Sequence, residues 1–386
     1  MNIVGIIAEY NPFHNGHLYH LKQCKKLAEA EACVVVMSGN FTQRGEPAVF
    51  DKWTRSRLAV QCGADLVLEL PFAYAVNSAE AFARGGVGIL DRLGCVTHIG
   101  FGAEHGSLPE MERLAGFLAE ETAEFRECFK EFLAEGYSYA RARERSVEAC
   151  LGPDFANLSK TPNNILALEY LKQLKNQKSN IKPIMVNRKG TGYFDARPAG
   201  NIASASAIRH TLTAEERKKC VPPQVEEAFA YRREVKGYFE LIRSLVLRSS
   251  SEELSQILSV GEGLENRMKS QVRICRSLEE FVEGIATKRY PKTRIRRILC
   301  QMLMGLSSFE DCFYARVLAA GEKGKQVIRQ IKKQGQIPVF TNINKEASLP
   351  EILKYDILAG DIYNILTGME LYRHCDYVTR PYMEKA

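Results

Sequence analysis

The residues best placed to do chemistry are His14, Asn15, Gly16 and His17, close to the N-terminus. Two imidazoles three positions apart at the mouth of a predicted helix fall on one side of its first turn. Gly16 between them leaves room for a phosphate or a ribose to approach the backbone. A helix start adds free N–H groups and the positive end of the helix dipole. Together these groups suit a triphosphate under attack at its α-phosphorus, where charge grows on the non-bridging and leaving oxygens. Losing one prearranged donor to such charge typically costs about 2.7–4 kcal/mol of barrier. Two other readings stand beside this one. His14 and His17 are plain loop residues in the first. In the second His14, His17 and His20 bind zinc, but a further carboxylate or thiolate would be needed and none nearby has ligand spacing.

Two more segments could assist. Ser204, Ser206 and Arg209 set two hydroxyls and a guanidinium at another predicted helix start. That set suits the β- and γ-phosphates, although serine is also a common N-cap. The polar loop from Ser38 to Arg44, SGNFTQR, offers Arg44 to a carboxylate substrate or a phosphate, or is a plain surface loop. Glu69 and Phe72, within LVLELPFAY, read as structural.

These residues need a frame, and the first hundred positions supply one. Residues 2–8, 33–37, 66–70 and 96–104 are short apolar runs that read as strands. Helical patterns separate them: from His17 to about Ala30, after a cap at Asp51, and over residues 77–93. In the first of these, Leu18, Leu21, Cys24 and Ala28 share a core-facing side, with Leu27 at its edge. Alternating strand and helix means a parallel sheet with crossover helices, and ligands bind beyond the carboxyl ends of such strands. The loops after the first, second and fourth strands emerge at that edge. Residues 107–176 read as a helical insertion, 181–188 as a strand returning to the sheet, and 201–212 as the start of another helix. After Pro222 and Pro223 the pattern is mostly helical, which puts a domain boundary near 215–225.

The chain has 386 residues, which favours two domains over one. No signal peptide is expected, because the N-terminus has no basic n-region and no long apolar h-region, and no membrane span, because no later stretch reaches eighteen apolar residues. Eleven cysteines, scattered singly with no CxxC pair, fit a reducing cytoplasm. The formal net charge is +7. Residues 1–100 balance 9 Lys and Arg against 9 Asp and Glu, whereas residues 261–340 hold 16 against 8. The surplus therefore lies toward the C-terminus and suggests a polyanionic partner there, or a solvated helical surface. Within it, Lys288, Arg289, Lys292, Arg294, Arg296 and Arg297 crowd around Tyr290. A cationic patch with one aromatic can hold a phosphate backbone and stack a base, as a single-stranded RNA loop requires. The alternative is a basic helix paired with acidic neighbours.

The HNGH string after the first strand resembles the HxGH nucleotidylyltransferase superfamily, and SASAIR resembles its second phosphate motif. The second motif reads Ser-Ala-Ser where the superfamily has adjacent serines, which leaves the role of each hydroxyl open. A narrower likeness covers nearly the whole chain. GIIAEYNPFHNGHLYHL, VVMSGNFTQRGEPA, DLVLELPFAYA, FGAE, TPNNILALEYL and GEGLENRM, in this order, resemble the bacterial tRNA(Met) cytidine acetate ligases.

The resemblance implies an α/β fold: a Rossmann-like parallel-sheet nucleotidyltransferase domain with a helical insertion over 1–220, then a mostly α-helical, basic, tRNA-binding domain over 221–386. It implies that ATP and acetate form acetyl-adenylate and pyrophosphate. The acetyl group then moves to the wobble cytidine of elongator tRNA(Met), giving N4-acetylcytidine. His14 and His17 are the expected catalytic pair. The ATP-binding stretch runs through Ile7, Ala8, Glu9, Tyr10, Asn11, Pro12, Phe13, His14, Asn15, Gly16, His17, Leu18, Tyr19 and His20. Further nucleotide contacts fall on Gly102, Asn163 and Arg188, besides Ser204, Ser206 and Arg209. Mg²⁺ is expected to bridge the phosphates. Two other functions predict different behaviour: adenylylation of a small phosphorylated cofactor precursor without RNA, or ATP sensing by a non-catalytic RNA-binding factor. The oligomeric state stays open.

Overall fold

Apolar runs rich in Val, Ile and Leu bury both faces when they form strands of a covered parallel sheet. In the computed structural model, which describes residues 1–188, 200–344 and 349–385, they do so. The strands are β1 (Ile3–Ala8), β2 (Ala32–Ser38), β3 (Leu66–Leu70), β4 (His98–Ala103), β5 (Lys182–Asn187), β6 (Ala315–Ala320), β7 (Val339–Phe340) and β8 (Tyr382–Met383). Their order is β5-β4-β1-β2-β3-β6-β7, with β8 also paired to β6. β1 to β5 are mutually parallel, and β6 runs antiparallel to β3. Alternate residues feed two cores: Ile3, Val34 and Val36 on one face, Val4, Ile6, Val35 and Met37 on the other.

The first four helices are α1 (Asn15–Leu27), α2 (Lys52–Gln61), α3 (Phe72–Ala75) and α4 (Ala79–Arg92). On α1, Leu21, Cys24 and Ala28 are buried as expected and Leu27 is exposed. A Cβ on Gly100 of β4 would stand 2.3 Å from the Cys24 sulfur, so glycine there lets α1 lie close on the sheet. The insertion consists of α5 (Leu108–Glu120), α6 (Ala123–Ala134), α7 (Tyr139–Leu151), α8 (Pro153–Leu158) and α9 (Pro162–Asn176). After β5 come α10 (Ala205–His210), α11 (Ala214–Cys220) and α12 (Pro223–Phe229).

Beyond 221 the chain is mostly helical: α13 (Tyr238–Arg248), α14 (Ser251–Ser255), α15 (Leu264–Gln271), α16 (Leu278–Ile285) and α17 (Lys292–Leu303), then α18 (Glu322–Gln334), α19 (Leu353–Thr367) and α20 (Leu371–His374). α13 to α17 enclose their own core around Phe239, Met268, Phe281 and Ile295. The cut expected at 220/221 needs correction. The chain past α17 returns to the sheet, where β6 pairs with β3 and its residues Val317 and Ala320 join the first core. The helix-dominated composition hid this, because β6, ARVLAA, is one short run among helices.

The strand order fixes where a ligand can sit. β1 is followed by β2 on one side, while β4 lies on its other side. The loops after β1 and β4 therefore part at the carboxyl edge, and a crevice opens between them.

Candidate active site

The turn after β1 is set by its backbone. Tyr10 takes a left-handed conformation with φ 47°, and the Asn11–Pro12 peptide is cis. His14 then caps α1, its Nδ1 accepting the Gly16 N–H at 3.1 Å. A ring nitrogen that accepts is unprotonated, so in the neutral ring the proton sits on Nε2 and donates. The His14 and His17 rings stack with centroids 3.7 Å apart and planes 25° from parallel. His17 Nδ1 is buried and meets no hydrogen-bond partner among the described residues. Both histidines line a crevice of about 270 Å³ at the switch between β1 and β4.

Neutral rings are what this environment allows. Burial lowers the His14 pKa to about 3, and Arg188 and Arg209 push in the same direction. Burial also drives His17 well below its ordinary range, with His14, Arg188 and His20 adding to the effect. His20 is lowered to about 4, again mainly by burial. The positive charge around the crevice is thus carried by guanidinium groups, while the imidazoles stay neutral.

Of the ATP stretch, Ile7, Ala8, Glu9, Tyr10, Asn11, His14, Gly16, His17, Tyr19 and His20 line the crevice. Pro12, Phe13, Asn15 and Leu18 do not, which corrects the expectation. Pro12 and Phe13 are buried, Phe13 within the second core. Leu18 packs against that core. Asn15 turns outward and donates to the carbonyls of Asn201 and Lys219, both at 2.9 Å. The free N–H groups expected at the mouth of α1 are also partly spent. Gly16 N–H goes to His14 Nδ1, and His17 N–H to the His14 carbonyl at 2.8 Å.

Gly102, Asn163, Arg188, Ser204, Ser206 and Arg209 all reach the same crevice. Arg188 donates to Asn163 Oδ1 at 3.2 Å, and Asn163 donates to Glu104. Ser204 caps α10 by accepting the Ala207 N–H at 3.1 Å. Arg209 donates to the Asn11 carbonyl at 2.6 Å, joining the SASAIR segment to the turn before the HNGH string. Thr42, Gln43 and Arg44 of the loop after β2 complete one wall.

Two supporting residues escaped sequence reasoning. Glu104, within FGAE, accepts from Thr161 Oγ1 at 2.9 Å as well as from Asn163, and so docks α9 on the end of β4. Arg55 of α2 is fully buried and donates to the carbonyls of Glu9, Ser38 and Gly39, gathering the carboxyl ends of β1 and β2. The available signal was its place on α2 one turn before the buried Leu58 and Ala59. Glu69 is structural, as expected: it is buried and paired with Lys52 at 2.9 Å.

The basic segment departs from expectation. Tyr290 is 6% exposed, sits in the α13–α17 core and donates its hydroxyl to the Gly261 carbonyl at 3.2 Å, so it offers no face to a base. The Arg294 guanidinium lies 4.2 Å from its ring centroid instead. Arg289 pairs with Glu262 at 3.0 Å, Lys292 with Glu283, and Arg296 with Glu279 and Glu46 at 3.4 and 3.8 Å. Arg297 is largely desolvated and its pKa falls to about 10. Lys288 is exposed. Asn266 and Arg267 lie on α15, the helix that GEGLENRM starts.

Among the described residues no three His, Cys, Asp or Glu side chains are grouped to hold a metal ion. None of the described helices is long and apolar enough to cross a membrane.

The HIGH Nucleotidyl Transferase family model matches residues 1–375. The chain is 40% identical over 392 residues to the tRNA(Met) cytidine acetate ligase of Acetivibrio thermocellus, covering 94% of each. It is 37% identical over 399 residues to that of Clostridium tetani, covering 95% of this chain and 96% of the relative. The crystal structure of Thermotoga maritima TmcAL (apo, form I) superposes over 100% of both chains with a TM-score of 0.93 at 30% identity. The form bound with alpha-thio ATP gives 0.91 at 29% identity, again over 100% of both chains.

Proposed function

This chain belongs to the HIGH Nucleotidyl Transferase family, with the tRNA(Met) cytidine acetate ligases, and from that premise we propose how its residues carry the reaction. It is an ATP-dependent ligase that acetylates a cytidine of tRNA(Met). Acetate attacks the α-phosphorus of ATP: an oxygen–phosphorus bond forms, the bond to the β-phosphate breaks, and pyrophosphate leaves. The cytidine N4 amine then attacks the acetyl carbon. AMP departs, and the nitrogen gives up a proton.

The carrying observation is the stacked pair of neutral imidazoles at the β1/β4 crevice. His14 presents Nε2–H, and buried His17 keeps one ring nitrogen without a hydrogen-bond partner among the described residues. Donors fixed before the reaction need no reorganisation as charge builds on the departing oxygens. Arg188 and Arg209 supply the charge that the imidazoles cannot. No covalent protein intermediate is needed, so positioning and neutralisation carry the chemistry.

Mg²⁺ bound to ATP would shield the phosphates, but the described residues offer it no cage of protein ligands. The reaction is placed in the cytoplasm, where ATP, acetate and tRNA meet. The tRNA backbone is proposed to lie along Lys288, Arg289 and Lys292, because Lys288 is exposed and the exposed Arg289–Glu262 and Lys292–Glu283 pairs can yield to phosphate.

One assay tests the reading. Protein, ATP, labelled acetate and total tRNA are incubated, and the RNA is digested to nucleosides. Label is expected in N4-acetylcytidine. Label absent from RNA while AMP appears on a small phosphorylated acceptor would overturn it.

A further inference from the structure

The loop between β2 and α2 touches more than the ATP crevice. Thr42, Gln43 and Arg44 line that crevice. Two residues further on, Glu46 reaches Arg296 of α17, and the preceding Gly45 (φ 73°) lies so close to α17 that a Cβ would stand 2.4 Å from the Arg296 carbonyl. Val49, Phe50 and Asp51 then form the floor of a second cleft of about 460 Å³. Its walls come from Arg57 on α2, the Ala230–Arg233 turn after α12, and Tyr363 to Met369 at the end of α19.

This second cleft has the makeup of a single-strand nucleic-acid site. Tyr231 is 85% exposed and makes no ring contact among the described residues. Arg232 and Arg233 follow it directly and are exposed, as is Arg57. None of the three arginines forms an ion pair among the described residues, unlike Arg289, Lys292 and Arg296. The carboxylate in the cleft, Asp51, is engaged as the cap of α2, accepting from Thr54 N–H at 2.9 Å and Thr54 Oγ1 at 2.7 Å. A free aromatic face beside three unpaired guanidinium groups fits a base and its flanking phosphates.

The position matters as much as the chemistry. Val49 N–H donates to Asn11 Oδ1 at 2.7 Å, and Asn11 lines the ATP crevice. One hydrogen bond therefore separates the floor of the cleft from the wall of the nucleotide site. We infer that this cleft holds the single-stranded anticodon loop of the tRNA, with Tyr231 stacking a base next to the one presented to the activated acetyl group. The inference rests on the ligase reading above, and it moves base stacking from buried Tyr290 to exposed Tyr231.

The test is direct binding of tRNA(Met) and of its isolated anticodon stem-loop across a range of KCl, with melting curves to confirm folding. Tyr231→Ala is expected to weaken binding by about 5–150-fold, the range for one lost stack, with an unchanged salt slope. Tyr231→Phe should bind like the parent protein. The triple variant Arg57→Ala, Arg232→Ala, Arg233→Ala should weaken binding and flatten the slope by about two units. A parent that binds tRNA, with Tyr231→Ala and the triple variant binding as tightly, overturns the cleft and leaves the ligase reading standing. Equal loss of RNA and heparin binding in Tyr231→Ala would also overturn it, because a stacking contact has no use for a polyanion without bases. A parent that binds no tRNA overturns both.

Discussion

Lys52 and Asp376, 324 positions apart in sequence, meet at 2.7 Å with both side chains 1% exposed. Glu69 takes the other side of the same ammonium at 2.9 Å, and the Arg316 guanidinium stands 3.7 Å from Asp376. Asp376 lies beyond the last long helix, so this contact fastens the end of the chain behind the loop that follows β2. Lys52 N–H also donates to Asn40 Oδ1 at 2.6 Å, which orders that loop from within.

Replacing Lys52 with Met leaves two buried carboxylates with one fewer cation. The expected loss of unfolding free energy is about 3–5 kcal/mol, the usual cost of breaking a buried pair from one side. Urea denaturation measures it. A midpoint within error of the parent's would show that the carboxylates take up protons at little cost.

His17→Ala removes a donor beside the departing pyrophosphate. Acetate-dependent exchange of labelled pyrophosphate into ATP should fall by about 10²–10³-fold, with tRNA affinity intact. Exchange at the parent's rate would remove His17 from the mechanism.

The buried histidines predict acid sensitivity. The His14 pKa lies near 3 in the fold and near 6.5 in an unfolded chain, so the native state binds fewer protons in between. Stability from the neutral ring is complete above about pH 6.5 and is lost as pH falls toward 3. At pH 5 the loss from His14 amounts to about 2 kcal/mol. Denaturant titrations at neutral and mildly acidic pH should show it, and His14→Asn should flatten the trend. A variant with the parent's pH dependence would contradict the assignment.

Changing Lys292, Arg294 and Arg296 together to Ala should lower tRNA affinity and reduce the salt slope by at most about 2–3 units. Because Lys292 and Arg296 already hold carboxylates, the effect is expected at the low end. A slope equal to the parent's would clear this face of RNA contact.

Much of the site was legible because its chemistry is local. His14, Gly16 and His17 needed only a strand before them and a helix after them, and β1 and α1 are contiguous with the motif. Arg188 and Arg209 were legible by likeness to the family's motifs. Asn15 and Phe13 were misread, because adjacency in sequence does not decide which way a side chain turns at a helix mouth. Tyr290 was misread for a related reason: a tyrosine among cations looks exposed until a core closes over it, and the core it joins is shared with residues of α13, α15 and α16. Arg55 and Glu104 show the remaining gap. Each acts by joining segments distant in sequence, and a single chain read in order carries little trace of such meetings.

The pairing of β6 with β3 also has a bearing on how the protein is made. Leu70 leaves the ribosome about 250 residues before Ala320, so the outer edge of β3 stays open for roughly 12–50 s at about 5–20 residues per second. During that interval the nascent chain exposes an unpaired edge, beside a crevice whose lining is complete only once Arg209 has emerged, a state that invites capture by a neighbouring strand or a chaperone. Fragments ending near residue 220 would be held in that state permanently, and poor solubility on expression is their natural fate.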